Sequence, residues 1–176
     1  MRLFIAINFP REIKTIIAKV RDNLKNDALR GNFTFDENLH LTLVFLGECD
    51  ARQADAVKTV MESAVFPEFT LVLDKVGYFR RNGGDTWWIG FKENRSLADL
   101  QASLSARLIQ NGFILENRRY VPHVTIGREV KMREVYVQPE VPHTGFNVTR
   151  VDLMKSERIN SKLTYTPIYS GERMSR

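Results

Sequence analysis

Histidine–apolar–threonine–apolar is spelled twice in this chain, as His40-Leu41-Thr42-Leu43 and again as His123-Val124-Thr125-Ile126, although the sequence holds only 3 histidines. Side chains along an extended strand alternate between its two faces. Each motif therefore places an imidazole and a hydroxyl side by side on one face and two aliphatic side chains on the other. Pro122 favours an extended backbone at Val121 and suits the start of the second strand. A random chain of this composition puts two of three histidines in that pattern roughly once in a few thousand cases, or about ten times more often once threonine and apolar residues are allowed to cluster in strands. The motif constrains the fold to two strands, each with a core face and a polar face.

The elements around the motifs repeat in order. "RLFIAI" reads as a strand stopped by Pro10, and Ile13, Ile16, Ile17, Val20 and Leu24 recur at helical spacing over 11–26. The first motif strand spans 39–46. Asp50 with Gln53 forms a capping box that opens a helix over 51–64. "FTLVLDKVGYF" and "TWWIGF" read as a hairpin turned at Gly83-Gly84, and a Leu97, Leu100, Leu104, Leu108 stripe marks a helix closed by Asn111-Gly112. The second motif strand comes next, with further strands expected near 143–156 and 163–169. Phe4 precedes His40 by 36 residues (40 − 4) and Trp87 precedes His123 by 36 (123 − 87). Matching order and spacing imply an internal duplication into two α+β lobes.

Composition narrows the function classes. An apolar share of 43% and a charged share of 27% describe an ordinary globular domain, and no apolar run is long enough to span a bilayer. The opening segment reaches Pro10 too soon for a signal peptide. The single cysteine, Cys49, excludes an internal disulfide and fits a cytoplasmic location. A net charge of +5 is compatible with an anionic partner such as nucleic acid.

Two imidazoles facing one cavity permit a division of labour, since histidine titrates near neutrality and one ring takes a proton while the other gives one. Flanking hydroxyls can donate to the oxygens of a bound anion. That set suits in-line attack at a phosphodiester and needs neither metal nor cofactor. His143, in "VPHTGF", has threonine next to it rather than two along and is expected to lie outside the site. No close carboxylate–histidine spacing supports a metal site.

The chain resembles the two-histidine phosphoesterase superfamily, and within it the bacterial and archaeal RNA 2′,3′-cyclic phosphodiesterases once called 2′-5′ RNA ligases. The likeness runs through "RLFIAI", "LHLTLVFLGE", "WWIG", "PHVTIGR" and "MKSERINSKLTYTPIYSG", nearly the whole length. It implies one two-lobed α+β domain over 1–176, with lobes related by a pseudo-twofold axis. Each lobe would be an antiparallel sheet with helices on its outer face, and the active-site cleft would lie between the sheets. It implies hydrolysis of RNA 2′,3′-cyclic phosphate ends to 2′-phosphate, with weak reverse 2′-5′ ligation. His40 would be the proton donor and His123 the acceptor, an order the residues alone leave open. Thr42, Thr125 and Arg128 would hold the substrate. The expected partner is an RNA or oligonucleotide with a cyclic phosphate end, bound by a monomer without a membrane. Two alternatives stand beside this reading: a phosphodiesterase for a small cyclic nucleotide such as ADP-ribose cyclic phosphate, and a non-catalytic RNA- or nucleotide-binding module. One of Trp87 and Trp88 is expected in the core and the other free to stack on a base. Arg80, Arg81, Arg118 and Arg119 read as turn residues beside the cleft that could track an RNA backbone.

Overall fold

The computed structural model describes residues 1–172. Its elements, in chain order, are β1 (Arg2–Asn8), α1 (Arg11–Asn26), β2 (Ala28–Phe33), a 3₁₀ turn (Asp36–Asn38), β3 (His40–Glu48), α2 (Ala51–Ser63), β4 (Phe69–Phe79), β5 (Asp85–Phe91), α3 (Arg95–Gln110), β6 (His123–Met132), β7 (Gly145–Val148), β8 (Arg150–Ile159) and β9 (Lys162–Glu172). They form a first sheet in the order β3-β1-β8-β9 and a second in the order β2-β6-β5-β4-β7. Every pairing is antiparallel. The two antiparallel sheets that the resemblance implies are present, with one motif strand in each.

Local sequence explains the helices. Asp50 accepts from the backbone N–H of Gln53 at 2.7 Å while Gln53 Oε1 accepts from that of Asp50 at 3.0 Å, closing the capping box at the start of α2. Asn94 caps α3 through Leu97 N. Past the end of α3, Gly112 takes φ +85°, a left-handed conformation that L side chains rarely adopt. The helices also bridge the sheets: α1 follows β1 of the first sheet yet contacts β2 and β6, and α3 follows β5 of the second sheet yet contacts β3. Among the described residues no helix is long and apolar enough to cross a membrane.

Alternation along the strands divides the interior. Leu3, Ile5, Ile7, Leu41, Leu43, Trp87, Ile89, Val124 and Ile126 belong to one large core. On the other side of β1, Phe4 and Ala6 form a small separate cluster with Met154 and Tyr165. Leu41 and Val124, the apolar members of the two motifs, are both 0% exposed, so the core holds each histidine strand in register. Truncating Leu41 to alanine would cost on the order of 2–5 kcal/mol. Cys49 is also buried, and burial raises its thiol pKa.

One strand was not expected, one expected region is refined and one expectation needs correction. A strand at 28–33 was not legible, because its residues show no apolar alternation and Leu29 is 69% exposed; β2 is an irregular edge strand carried by β6. The strand region expected near 143–156 is divided at Thr149, where the chain changes sheets: β7 pairs with β4 and β8 pairs with β1. The equal spacing of 36 does not align equivalent residues. Trp87 is 1% exposed in the main core, and it is Trp88 that opposes Thr125 across the ladder, as Ala6 opposes Thr42.

Candidate active site

His40 begins β3 and His123 begins β6, and the two are held alike. The ring of His40 donates from Nδ1 to the backbone oxygen of Asn38 at 2.7 Å, and that of His123 donates from Nδ1 to the backbone oxygen of Val121 at 2.7 Å. A carbonyl only accepts, so each neutral ring carries its proton on Nδ1 and leaves Nε2 as the basic nitrogen. Each sheet has thus fixed the same tautomer by the same contact, to the carbonyl two residues back.

The surroundings of the two rings differ. His40 packs against Phe4, at 4.8 Å between ring centroids, and meets Tyr165 edge-on at 5.1 Å. Its Nε2 accepts from the Thr42 hydroxyl at 3.0 Å. Burial pushes its pKa down from 6.5 to about 4, and the charges of Lys14, Arg128 and His123 act in the same direction against the Asn38 hydrogen bond. His123 meets Phe79 edge-on at 5.3 Å and Trp88 at 6.2 Å. Burial lowers its pKa too, with Arg128 and Arg118 adding to the effect. Arg128 acts on both rings, so one cation serves both histidines.

Thr42, Thr125, His123 and Arg128 line a cleft of about 330 Å³ that also takes in Phe45, Phe79, Arg81 and Gln101. Its walls come from β3 of the first sheet, from β4, β5 and β6 of the second, from α3 and from the segment 115–121 that leads into β6. His40 is not among the lining side chains; its Nε2 is joined to the cleft through the Thr42 hydroxyl. His143 lies elsewhere, exposed, with its Nε2 3.7 Å from Asp74. Arg118 and Arg119 line the cleft, Arg118 also pairing with Glu116 at 2.6 Å. Among the described residues no group of three or more His, Cys, Asp or Glu is placed to hold a metal ion.

Four contributors were missed in the sequence. Asn38 is 4% exposed and donates to the Leu163 oxygen of β9 at 2.8 Å, which ties the loop that holds His40 to the terminal hairpin. Tyr165 reaches His40 from that hairpin. Tyr120 donates to the backbone oxygen of Thr42 at 3.0 Å and so joins the segment before β6 to β3, its phenol pKa raised by burial. Phe79 stands against His123. Only Asn38 had a local signal, a polar residue two before a motif histidine. The other three depend on pairings between distant segments.

Trp88 is accommodated in a particular way. Its indole lies over Gly77 on the neighbouring strand and beside Gly90 on its own: a Cβ at Gly77 would clash with the ring at 2.3 Å, and one at Gly90 would come within 3.1 Å of it. The absence of two side chains leaves room for a flat aromatic plate beside His123.

Comparison with known proteins agrees with this architecture. Residues 9–160 match the model of the 2′-5′ RNA ligase superfamily. The chain is 32% identical over 173 residues to the RNA 2′,3′-cyclic phosphodiesterase of Thermotoga maritima, covering 96% of this chain and 91% of that protein. It is likewise 32% identical over 173 residues to that of Escherichia coli K12, covering 95% and 93%. The crystal structure of Escherichia coli LigT complexed with 3′-AMP superposes with a TM-score of 0.87 at 31% identity, over 99% of this chain and 98% of that one. With near-complete coverage in sequence and in structure, the chain belongs to the 2′-5′ RNA ligase superfamily.

Proposed function

We propose that the protein hydrolyses the 2′,3′-cyclic phosphate end of RNA, leaving a 2′-phosphate and a free 3′-hydroxyl. The observation that supports this most is the matched pair of imidazoles, each pinned through Nδ1 to the carbonyl two residues back and both within the field of Arg128. The names of the relatives point to the same reaction.

Water attacks phosphorus opposite O3′, and His123 Nε2 takes the water proton. The P–O3′ bond breaks, and O3′ receives a proton from His40. Arg128 and the two threonine hydroxyls hold the non-bridging oxygens, where charge grows in the transition state. A 5′-hydroxyl in place of water would, through the same transfers, form a 2′-5′ linkage. The role of His123 as base fits its Nε2, which has no hydrogen-bond partner among the described residues, whereas that of His40 is engaged by Thr42.

His40 is neutral at pH 7 in the free protein, so the acid must be charged on binding. A phosphodiester anion beside the ring favours the imidazolium and opposes the desolvation that lowers its pKa. Protonation also changes the role of Thr42. Once Nε2 carries a proton it donates to the threonine oxygen, and the hydroxyl proton of Thr42 is released toward a phosphate oxygen. Substrate binding, acid charging and hydroxyl orientation are thereby coupled.

The deciding experiment is incubation of the purified protein with cyclic-phosphate-ended oligonucleotides and mononucleotides after exhaustive EDTA treatment. The expected product is the 2′-phosphate isomer, formed at undiminished rate. A 3′-phosphate product, or activity restored only by a divalent ion, would overturn the mechanism; turnover of mononucleotides alone would shift the reading to a small cyclic nucleotide.

A further inference from the structure

The β4–β5 hairpin has two faces. Phe79 and Thr86 face the cleft, whereas their neighbours Tyr78 and Trp87 line a second groove of about 460 Å³. At the tip, Gly83 and Gly84 with φ of +92° and +137° allow a tight turn, and a Cβ on Gly84 would strike the Glu129 backbone, so the tip is seated against β6. Arg81, at this tip, lines both the cleft and the second groove. The two concavities are therefore continuous around the hairpin end.

The second groove is basic and aromatic. Arg80, Arg81, Lys131 and Arg133 line it against one carboxylate, Asp85, which already accepts from the Arg81 backbone N–H at 3.3 Å. Lys131 and Arg133 are exposed and form no ion pair among the described residues. Arg80 stacks over Tyr78 at 5.6 Å, Tyr78 stacks on Trp87 at 4.8 Å, and Tyr136 meets Trp87 edge-on at 5.8 Å. The indole N–H of Trp87 is buried and has no acceptor among the described residues. Unpaired cations beside stacked rings match a single-stranded nucleic acid, whose backbone follows the charge and whose bases stack on aromatic side chains.

We infer that RNA held by its cyclic end in the cleft continues around the β4–β5 tip at Arg81 and lies in this second groove, which makes it a docking site for the body of the RNA. The inference rests on the proposed reading of the cleft and extends it: the preferred substrate is an oligonucleotide several residues long rather than a mononucleotide.

The test uses the full chain and the double variant Lys131→Ala/Arg133→Ala, whose two positions contact no part of the proposed catalytic set. Turnover is measured on a nucleoside 2′,3′-cyclic monophosphate and on cyclic-ended oligoribonucleotides of about 2, 4 and 12 residues, lengths that span the site size of small single-strand binders. In the wild-type protein kcat/KM should rise with length. The variant should lose about tenfold on the longest substrate and nothing on the monophosphate. Binding of a 3′-phosphate-ended oligomer of the same length, followed by anisotropy against salt, should show the log–log slope reduced by about 1.4, the value for two lost single-strand phosphate contacts. Equal loss on all lengths, or an unchanged salt slope, would overturn the groove. The binding arm needs no cyclic end, so it reads the groove even if no cyclic substrate is turned over; turnover of the monophosphate reads the cleft even if the groove fails.

Discussion

The two motif strands begin with the same grip and end in different surroundings. On β3 the residue opposite Thr42 is Ala6, and the aromatic contact to the ring comes from Phe4 and from Tyr165 of the terminal hairpin. On β6 the ladder position equivalent to Ala6 is Trp88, whose own indole supplies the plate, with Gly77 and Gly90 cleared to admit it. Both histidines gain an aromatic wall, but among the described residues the first has both ring nitrogens engaged and the second has an open Nε2. Two strands with the same motif are unequal where the proposed acid and base must differ. The difference lies in the neighbours rather than in the motif.

The bluntest way to break the comparison is to remove either ring. His40→Ala and His123→Ala should each lower turnover by roughly 10²–10⁴-fold, the range for a positioned acid or base, while His143→Ala should leave it close to wild type. Steady-state kinetics on a cyclic-ended oligonucleotide checks all three. Near-normal activity in either motif variant would remove the acid–base pair.

NMR titration sharpens the inequality. The His40 ring should titrate near 4 in the free protein and His123 below its ordinary value of 6.5. Inorganic phosphate should raise His40 by about 1–3 units, the usual effect of a close opposite charge. The kcat/KM profile should be a bell whose centre lies below 6.5, because both free-protein values are depressed, and the kcat profile should lie at higher pH because substrate raises the acid's value. A bell centred above 7 for kcat/KM would contradict the buried, neutral His40.

Stability should report the same asymmetry. Unfolded His40 takes its proton near the ordinary 6.5 and folded His40 near 4, so within that window the unfolded chain binds more protons. Stability from this residue is full above 6.5 and is lost as pH falls toward 4, by at most about 3 kcal/mol. Denaturant melts of His40→Gln should show a correspondingly flatter loss across that window than the parent protein. An identical pH slope in both would mean the ring is not desolvated.

A smaller perturbation addresses one site alone. Gly77→Ala pushes the Trp88 ring away from its seat, at a cost of about 1–3 kcal/mol for overpacking. The His123 titration should shift while that of His40 stays where it was. Movement of both together would mean that the two sites are less independent than their separate walls imply.

Much of this was written in short-range pattern. Alternation in "HLTL" and "HVTI" placed both imidazoles beside hydroxyls on polar faces, and the Asp50–Gln53 box fell where the helix begins. What escaped depended on partners distant in sequence. β2 has little apolar pattern and is carried by β6; the break at Thr149 reflects a change of sheet that no local residue announces. The misalignment of Trp87 came from equating spacing with register, when the two aromatic walls are built by different routes. Tyr165 and Phe79 became visible only once β9 and β4 were placed.

The seat of Trp88 has an optical consequence. Protonated imidazoles quench indole emission, and this ring lies 6.2 Å from His123, the base in the proposed reaction. The chain's other tryptophan, Trp87, is on the opposite face of the strand, and replacing it with phenylalanine would leave a single emitter. The molecule would then carry its own fluorescent indicator of when the base takes up a proton, readable during a turnover without any added dye.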